Sequence, residues 1–150
     1  MGSCIVLRQA DLSDVPALYK IEKKCFGRRG FSKSHIIWTL KNPQGFTYLY
    51  YANGQPVGTV MMRKEGEVGR VVSLGVLPGS RRQGVGAELM RQAEELMRGK
   101  GARVMLLEVG VRNEGAIAFY ERLGYETDGI LKGYYSWGED AHLMRKALPA

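Results

Sequence analysis

The sequence predicts an α/β protein built on a mixed sheet of about seven strands, with helices on both faces. Three observations predict it. Strand-like and helix-like patterns succeed one another in the order β α α β β β α β α β β. The pair Asn53-Gly54 stands between two β-rich runs, which is the preferred type I′ hairpin turn. From Val68 to Val109 the chain reads strand, Gly-rich turn, helix, strand, a succession that demands a parallel pair joined by a right-handed crossover.

Taken in order, Ile5 to Leu7 suits a short first strand. Asp11 or Ser13 can cap a helix in which Leu18, Ile21 and Cys25 share one face, and Pro16 is acceptable because it falls in the first turn. Gly27-Arg28-Arg29-Gly30 breaks that helix. Ser32 then caps a second one carrying Ile36, Ile37 and Leu40, which ends near Asn42-Pro43. Phe46 to Ala52 and Val57 to Met62 form the hairpin arms. Gly66 marks a turn into a third long strand, Val68 to Val76. A helix follows from about Val85 to Lys100, with Val85, Leu89, Ala93 and Leu96 as its buried stripe and Gly101 as its stop. Val104 to Val109 is a buried strand. Asn113 caps a shorter helix through Ala116, Phe119, Tyr120 and Leu123, ended by Gly124. Two last strands, around Tyr125 to Leu131 and Ala141 to Lys146, flank a loop containing Gly and Tyr.

One domain, 1–150, is expected from the length, and a hydrophobic content of 45% with 25% charged residues is that of a soluble globular chain. No apolar run reaches the roughly 20 residues of a membrane helix. Met1 to Gln9 lacks the pattern of a signal peptide. Cys4 and Cys25 are too few and too isolated for a disulfide framework or a metal site. A cytoplasmic location with reduced thiols is therefore expected. The formal charge of +7 implies affinity for polyanions: nucleic acid, a phosphorylated cofactor or an acidic surface.

The loop Arg81-Arg82-Gln83-Gly84-Val85-Gly86 carries the clearest chemistry. Backbone N–H groups at a helix N-terminus have no internal partner, and the helix dipole favours an anion there. Gly84 and Gly86 permit close approach, and the two arginines add positive charge. It is not a Walker loop, since Val85 follows Gly84 where Lys is needed. Nor is it the dinucleotide fingerprint, since position 89 is Leu89. Gly75, inside an otherwise β-branched strand, is either a packing glycine or the mark of a bulge. A bulge would splay this strand from its parallel neighbour and free N–H and C=O groups for an amide-bearing ligand arm.

Ser73-Leu74-Gly75-Val76, the Arg81 to Gly86 loop, Glu108-Val109 and the run from Asn113-Glu114-Gly115-Ala116 through Phe119-Tyr120 to Leu123-Gly124-Tyr125 resemble, in that order, the GCN5-related N-acetyltransferase (GNAT) superfamily. The resemblance covers essentially the whole chain. Leu131-Lys132-Gly133-Tyr134-Tyr135 and Gly138-Glu139-Asp140-Ala141 are similar to the protein N-α-acetyltransferase branch, RimI-like in bacteria and matched best by its archaeal members. The resemblance implies a GNAT-type sheet with splayed parallel central strands and acetyl-CoA as co-substrate, with no metal. It assigns cofactor contacts to Leu74, Val76, Arg81, Arg82, Gln83, Gly84, Val85, Gly86, Ala87 and Asn113, the last doubling as a helix cap.

The reaction implied is direct attack of an amine on a thioester. An α-amino group titrates at about 7.7–8.0, so roughly a tenth is neutral at pH 7, whereas a lysine at about 10.4 is almost wholly charged. By resemblance Glu108 is the general base, and its alternative is a structural carboxylate pairing with a neighbouring Arg. Tyr120 is by resemblance the acid for the departing sulfur, its alternative being one more packed aromatic. The Val76 N–H is the expected oxyanion donor. Phe26 and Phe31 on one loop, and Tyr134 and Tyr135 on another, are the expected acceptor contacts, an extended protein N-terminus being the partner. The first loop lacks the proline and tryptophan usual in the branch, and Gly110 and Arg112 also depart from its wording. His35 and His142 read as ordinary surface and strand residues. Rival functions are acetylation of a lysine or small-molecule amine, and a non-catalytic acyl-CoA or nucleic-acid module. Basic clusters without interleaved aromatics disfavour the last. A monomer or weak dimer, off the membrane, is expected.

Overall fold

The computed structural model describes residues 5–150, with side chains from Leu7 onward, so Cys4 lies outside the described residues. The elements are β1 (Ile5–Gln9), α1 (Val15–Phe26), α2 (Lys33–Lys41), β2 (Gly45–Ala52), β3 (Gln55–Glu65), β4 (Val68–Val76), α3 (Val85–Gly99), β5 (Val104–Gly110), α4 (Glu114–Arg122), β6 (Glu126–Leu131) and β7 (Ala141–Ala147). Short 3-10 turns at Leu12–Asp14, Gly27–Arg29 and Pro78–Ser80 link them. The strands form a seven-stranded mixed sheet in the order β1-β2-β3-β4-β5-β7-β6. Among the described residues no helix is long and apolar enough to cross a membrane.

Each start and stop has a local cause. Asp11 closes a capping box with Asp14 ahead of α1, and Pro16 sits in that helix's first turn, where its missing N–H costs nothing. The Ser32 side chain accepts the His35 N–H and so begins α2. Asn53 and Gly54 have φ of 52° and 79°, the two left-handed residues that a type I′ turn requires. β2 and β3 pair antiparallel from Gly45↔Arg63 to Ala52↔Gln55, with a register shift at Tyr50/Tyr51.

Two compact units emerge: residues up to Arg63 together with Ser73–Ala93, and Lys64–Val72 together with Glu94–Ala150. The first has its core in Leu18, Ile21, Ile36, Leu49, Met61, Leu89 and Met90. Its β3 is buried on both faces from Val57 to Met62. The second packs Met97, Met105, Leu107, Tyr125 and Met144. Within it β4 and β5 run parallel from Val68↔Val104 to Val71↔Leu107, and β7 lies antiparallel to β5 from Val104↔Ala147 to Gly110↔Ala141.

Two expectations change in detail. The buried stripe of α3 is Val85, Leu89, Met90, Ala93 and Met97, and Leu96 is only half-buried. The stripe follows the i, i+4 row 85–89–93–97, which leaves position 96 at its edge. On α4 only Tyr120 is buried. Gly75 has a packing cause: a Cβ there would stand 3.2 Å from Cys25 Sγ and 3.3 Å from Ile21 Cγ2, so α1 seats against the bare backbone. Gly58 does the same for the first half of α3, against Leu89 and Val85 at 3.0 Å each, and Gly69 for the second half, 2.7 Å from Met97 Cγ.

Gly69→Val should therefore overpack the Met97–Met105 contact and cost about 1–3 kcal/mol, a loss of several degrees in Tm by calorimetry. Gly99→Ala, with nothing within 4 Å of its Cβ and at the helix end, should be neutral or stabilising. Equal melting of Gly69→Val and the wild type would refute the seating argument.

Candidate active site

In the first unit, β4 ends at Val76 and the chain turns through Pro78–Ser80 into the loop ahead of α3. Arg82 and Gly84 both have left-handed backbone, φ 64° and 80°, which curls the loop. A non-glycine residue is held there only by its surroundings, and such positions concentrate at ligand clamps. The Gly84 carbonyl accepts the Glu88 N–H, so Gly84 closes the first turn of α3 and the N–H groups of Val85, Gly86 and Ala87 precede any intrahelical acceptor. Arg81, Arg82, Gln83 and Gly84 are exposed, Gly86 and Ala87 partly so, and the Val85 side chain is buried in the core. Arg81 Nε donates to the Val76 carbonyl at 2.9 Å, fixing one arginine at the strand's end. Leu74 and Val76 are partly exposed. This arrangement suits a phosphate.

The C-terminal half of α1 ties the same strand to the loop before α2. Glu22 is 1% exposed, yet accepts the Phe31 N–H at 2.9 Å and the Ser73 hydroxyl at 2.6 Å. Burial pushes its carboxyl up from the usual range, and the two donors oppose that shift. Cys25 donates its thiol to the Val76 carbonyl at 3.3 Å, and burial raises its pKa as well. Gly30 packs on the Glu22 carbonyl, 2.7 Å from a built Cβ. Phe31 stacks on His35 at 4.1 Å, while Phe26 is exposed. Of the two phenylalanines expected to meet an acceptor, Phe26 ends α1 and Phe31 closes the following loop, its N–H held by the buried Glu22.

In the second unit, Glu108 lies on β5, one pleat beyond the end of the β4 ladder. Its side chain is 11% exposed. Oε2 accepts from Arg70 Nη1 and Oε1 accepts from the Tyr134 hydroxyl at 3.3 Å. The arginine pairing expected of a structural carboxylate is present on one oxygen, and the Tyr134 hydroxyl lies on the other. Tyr134 meets Tyr135 edge-on at 4.9 Å, and burial pushes the Tyr135 phenol up to about 12. Tyr120 is 9% exposed, packed edge-on against Phe119 and Tyr125, and its hydroxyl makes no hydrogen bond to any described residue. Burial, with a smaller contribution from Tyr135, raises its pKa well above a free phenol's. The Asn113 side chain accepts the Ala116 N–H at 3.2 Å, so it is a helix cap. His142 contacts Thr127 at 3.0 Å through Nδ1.

The chain is similar to known proteins over most of its length. The sequence model described as Acetyltransferase (GNAT) family matches residues 15–125. The chain belongs to the GNAT acetyltransferase family. It is 31% identical to an N-alpha-acetyltransferase of Sulfurisphaera tokodaii, covering 95% of this chain and 92% of that one. It is also 31% identical to an uncharacterized N-acetyltransferase of Methanocaldococcus jannaschii over 83% of its own length, and spans 60% of that relative. In fold it resembles the ribosomal-protein-S18-alanine N-acetyltransferase of Escherichia coli, with a TM-score of 0.89, 24% identity, and 98% and 96% of the two chains covered.

Within this GNAT chain, sequence reasoning missed Arg70, Glu22 and Ser73. A signal for Glu22 existed: it falls one turn after Leu18 in the stripe of Leu18, Ile21 and Cys25, where a carboxylate must be buried and paired. Arg70 lies opposite Leu106 and diagonal to Glu108, a register no sequence pattern states.

Since burial raises the Glu22 pKa from its ordinary value of 4.5, the native state binds more protons than the unfolded one above pH 4.5. Its stabilising contribution is full below pH 4.5 and is lost as pH rises through the raised value. Glu22→Gln keeps an acceptor for Phe31 and a donor for Ser73 but cannot titrate. Its Tm relative to wild type should therefore climb with pH across that window; a pH-independent difference would exclude the linkage.

Proposed function

We propose that this chain is an acetyl-CoA-dependent N-acetyltransferase whose acceptor is the α-amino group of a protein N-terminus, carried out by residues 1–150 as one catalytic domain. The observation that supports the reading is the hydrogen bond from the Tyr134 hydroxyl to Glu108, since it joins the side chains read as acceptor contact and base. The name of the Sulfurisphaera tokodaii relative supports the α-amine acceptor.

In this reading the loop from Arg81 to Ala87 cradles the pyrophosphate on the first N–H groups of α3, with Arg81 and Arg82 supplying charge and Gln83 a side-chain amide. Leu74 and Val76 line the pantetheine arm, and Asn113, a helix cap, flanks the cofactor. The neutral amine attacks the thioester carbonyl carbon as the C–N bond forms. The carbonyl oxygen gathers charge against the Val76 N–H, and the C–S bond then breaks. The amine's proton passes to Glu108, directly or through water, and the sulfur receives a proton from Tyr120.

A buried phenol gives up its proton reluctantly, which argues against a free-standing acid. The departing thiolate is desolvated by the same surroundings, however, so its own demand for a proton rises in parallel. Tyr120 thus works chiefly as a hydrogen-bond donor to the developing sulfur anion. An α-amine, partly neutral at pH 7, asks less of Glu108 than a lysine does. Phe26, Phe31, Tyr134 and Tyr135 contact the entering peptide. A monomer or weak dimer in the cytoplasm fits a diffusing protein substrate.

Short peptides with free or blocked N-termini, each containing one lysine, decide the acceptor when offered with acetyl-CoA. Product is expected only from free N-termini, and product confined to blocked peptides would replace this reading with lysine acetylation. Tyr120→Phe should lower the chemical rate about a hundredfold in single-turnover assays, with acetyl-CoA affinity within twofold. Loss of affinity at an unchanged rate would make Tyr120 a binding residue.

A further inference from the structure

The loop between β6 and β7 carries two side chains that the proposed reaction leaves without a task, Trp137 and Glu139. Glu139 is 5% exposed and is met by two N–H donors. The Trp137 indole donates to Oε1 at 2.8 Å, and the Arg112 backbone donates to Oε2 at 2.9 Å. The carboxylate lies directly against β5: a Cβ at Gly110 would stand 2.4 Å from Oε2. Gly110 is thus the residue that admits Glu139, two positions beyond Glu108.

From Glu139 the contacts run without a break to the proposed base. The indole lies face to face with Tyr135 at 4.6 Å and 11°. Tyr135 meets Tyr134 edge-on at 4.9 Å and 89°, and the Tyr134 hydroxyl reaches Glu108 Oε1. The backbone closes around this stack, with Tyr135 N–H on the Glu139 carbonyl and Gly138 N–H on the Tyr135 carbonyl. Gly138 supplies the left-handed residue the tight turn needs, φ 89°.

We infer that Glu139 and Trp137 are positioning residues for the acceptor wall: the carboxylate orients the indole, the indole fixes the Tyr135 ring, and Tyr135 sets Tyr134 on Glu108. Trp137, 38% exposed, also extends the aromatic surface outward, where a residue downstream of the acceptor amine can lie against it. The inference rests on the reading of Tyr134 and Tyr135 as acceptor contacts. A carboxylate suits position 139 because the Trp137 indole and the Arg112 amide both donate to it. A glutamine accepts from one of them only and turns its own N–H₂ toward the other.

The test uses the full chain in a Trp38→Phe background, which leaves Trp137 as the only tryptophan of two. Adding Glu139→Gln should shift Trp137 emission and increase its accessibility to acrylamide before any substrate is present; unchanged emission and quenching overturn the inference. In kinetics with an N-terminal peptide, Trp137→Ala and Glu139→Gln should each raise the peptide KM about tenfold, with acetyl-CoA affinity within twofold. Trp137→Phe, which keeps a ring on Tyr135 but loses the N–H, should fall between.

The double variant should be no worse than either single one, because both cut the same chain of contacts. Additive losses, or a peptide KM unchanged in both, sink the proposal. Equal losses in peptide KM and acetyl-CoA affinity, with a fall in Tm, would mark a merely structural role and also overturn it. If the wild type acetylates no free N-terminus, the proposed function fails while the emission experiment still decides whether Glu139 holds the indole.

Discussion

Everything in this fold depends on how closely α3 can lie on the strands beneath it. A parallel pair such as β4 and β5 cannot be joined by a hairpin, so a helix must cross between them. That helix needs a flat seat, and glycines provide one: Gly58 under Val85 and Leu89, and Gly69 under Met97. With the helix seated, its N-terminus opens immediately after the loop that follows β4, and its first N–H groups become available to an anion. The exposure of these N–H groups at residues 85–87 is thus a by-product of one connection rule and two missing side chains.

A second theme is the buried carboxylate that gathers two donors. Glu22 takes an amide and a hydroxyl, Glu108 a guanidinium and a phenol, and Glu139 an indole and an amide. Desolvating a carboxylate is costly unless its lone pairs are used, and each of these uses both oxygens. In every case at least one partner comes from a segment far away in sequence. The carboxylates therefore fix loops that little apolar burial would hold: Phe26–Phe31 loses the helix around it at Gly27, and the β6–β7 loop is largely exposed. Each of these loops is thus held by a polar anchor, whereas the loop before α3 is shaped by backbone geometry.

That division explains what was legible in the sequence. The element order, the Asn53-Gly54 turn, the caps Asp11, Ser32 and Asn113, and the β4 limits were all readable, because each is written in local residue chemistry. The turn from β4 into α3 through Gly84 was readable for the same reason. Arg70 beside Glu108 was not, since it depends on the parallel register of β4 and β5. Gly75 was read two ways, and its packing against Cys25 and Ile21 is a tertiary fact. The departure at Gly110 looked like a loss of pattern until Glu139 was seen to occupy the space. Isolated oddities in a strand gain meaning only with the partner that fills them.

The protonation states in the second unit bear on which amine such a chain suits. Burial raises the pKa of Tyr120, Tyr125 and Tyr135, so all three remain neutral phenols at physiological pH. Glu108 is matched by Arg70, whose own pKa is raised by Glu65 and Glu108 against the lowering effect of burial. Glu65 pairs with the same arginine, so two carboxylates share one guanidinium, and a lysine ammonium arriving there would still have to lose its proton. A backbone terminus differs in two ways: it sheds its proton readily, and it arrives with a peptide chain that aromatic walls can grip. Under the proposed reading, the readily deprotonated α-amine is the acceptor that asks least of Glu108.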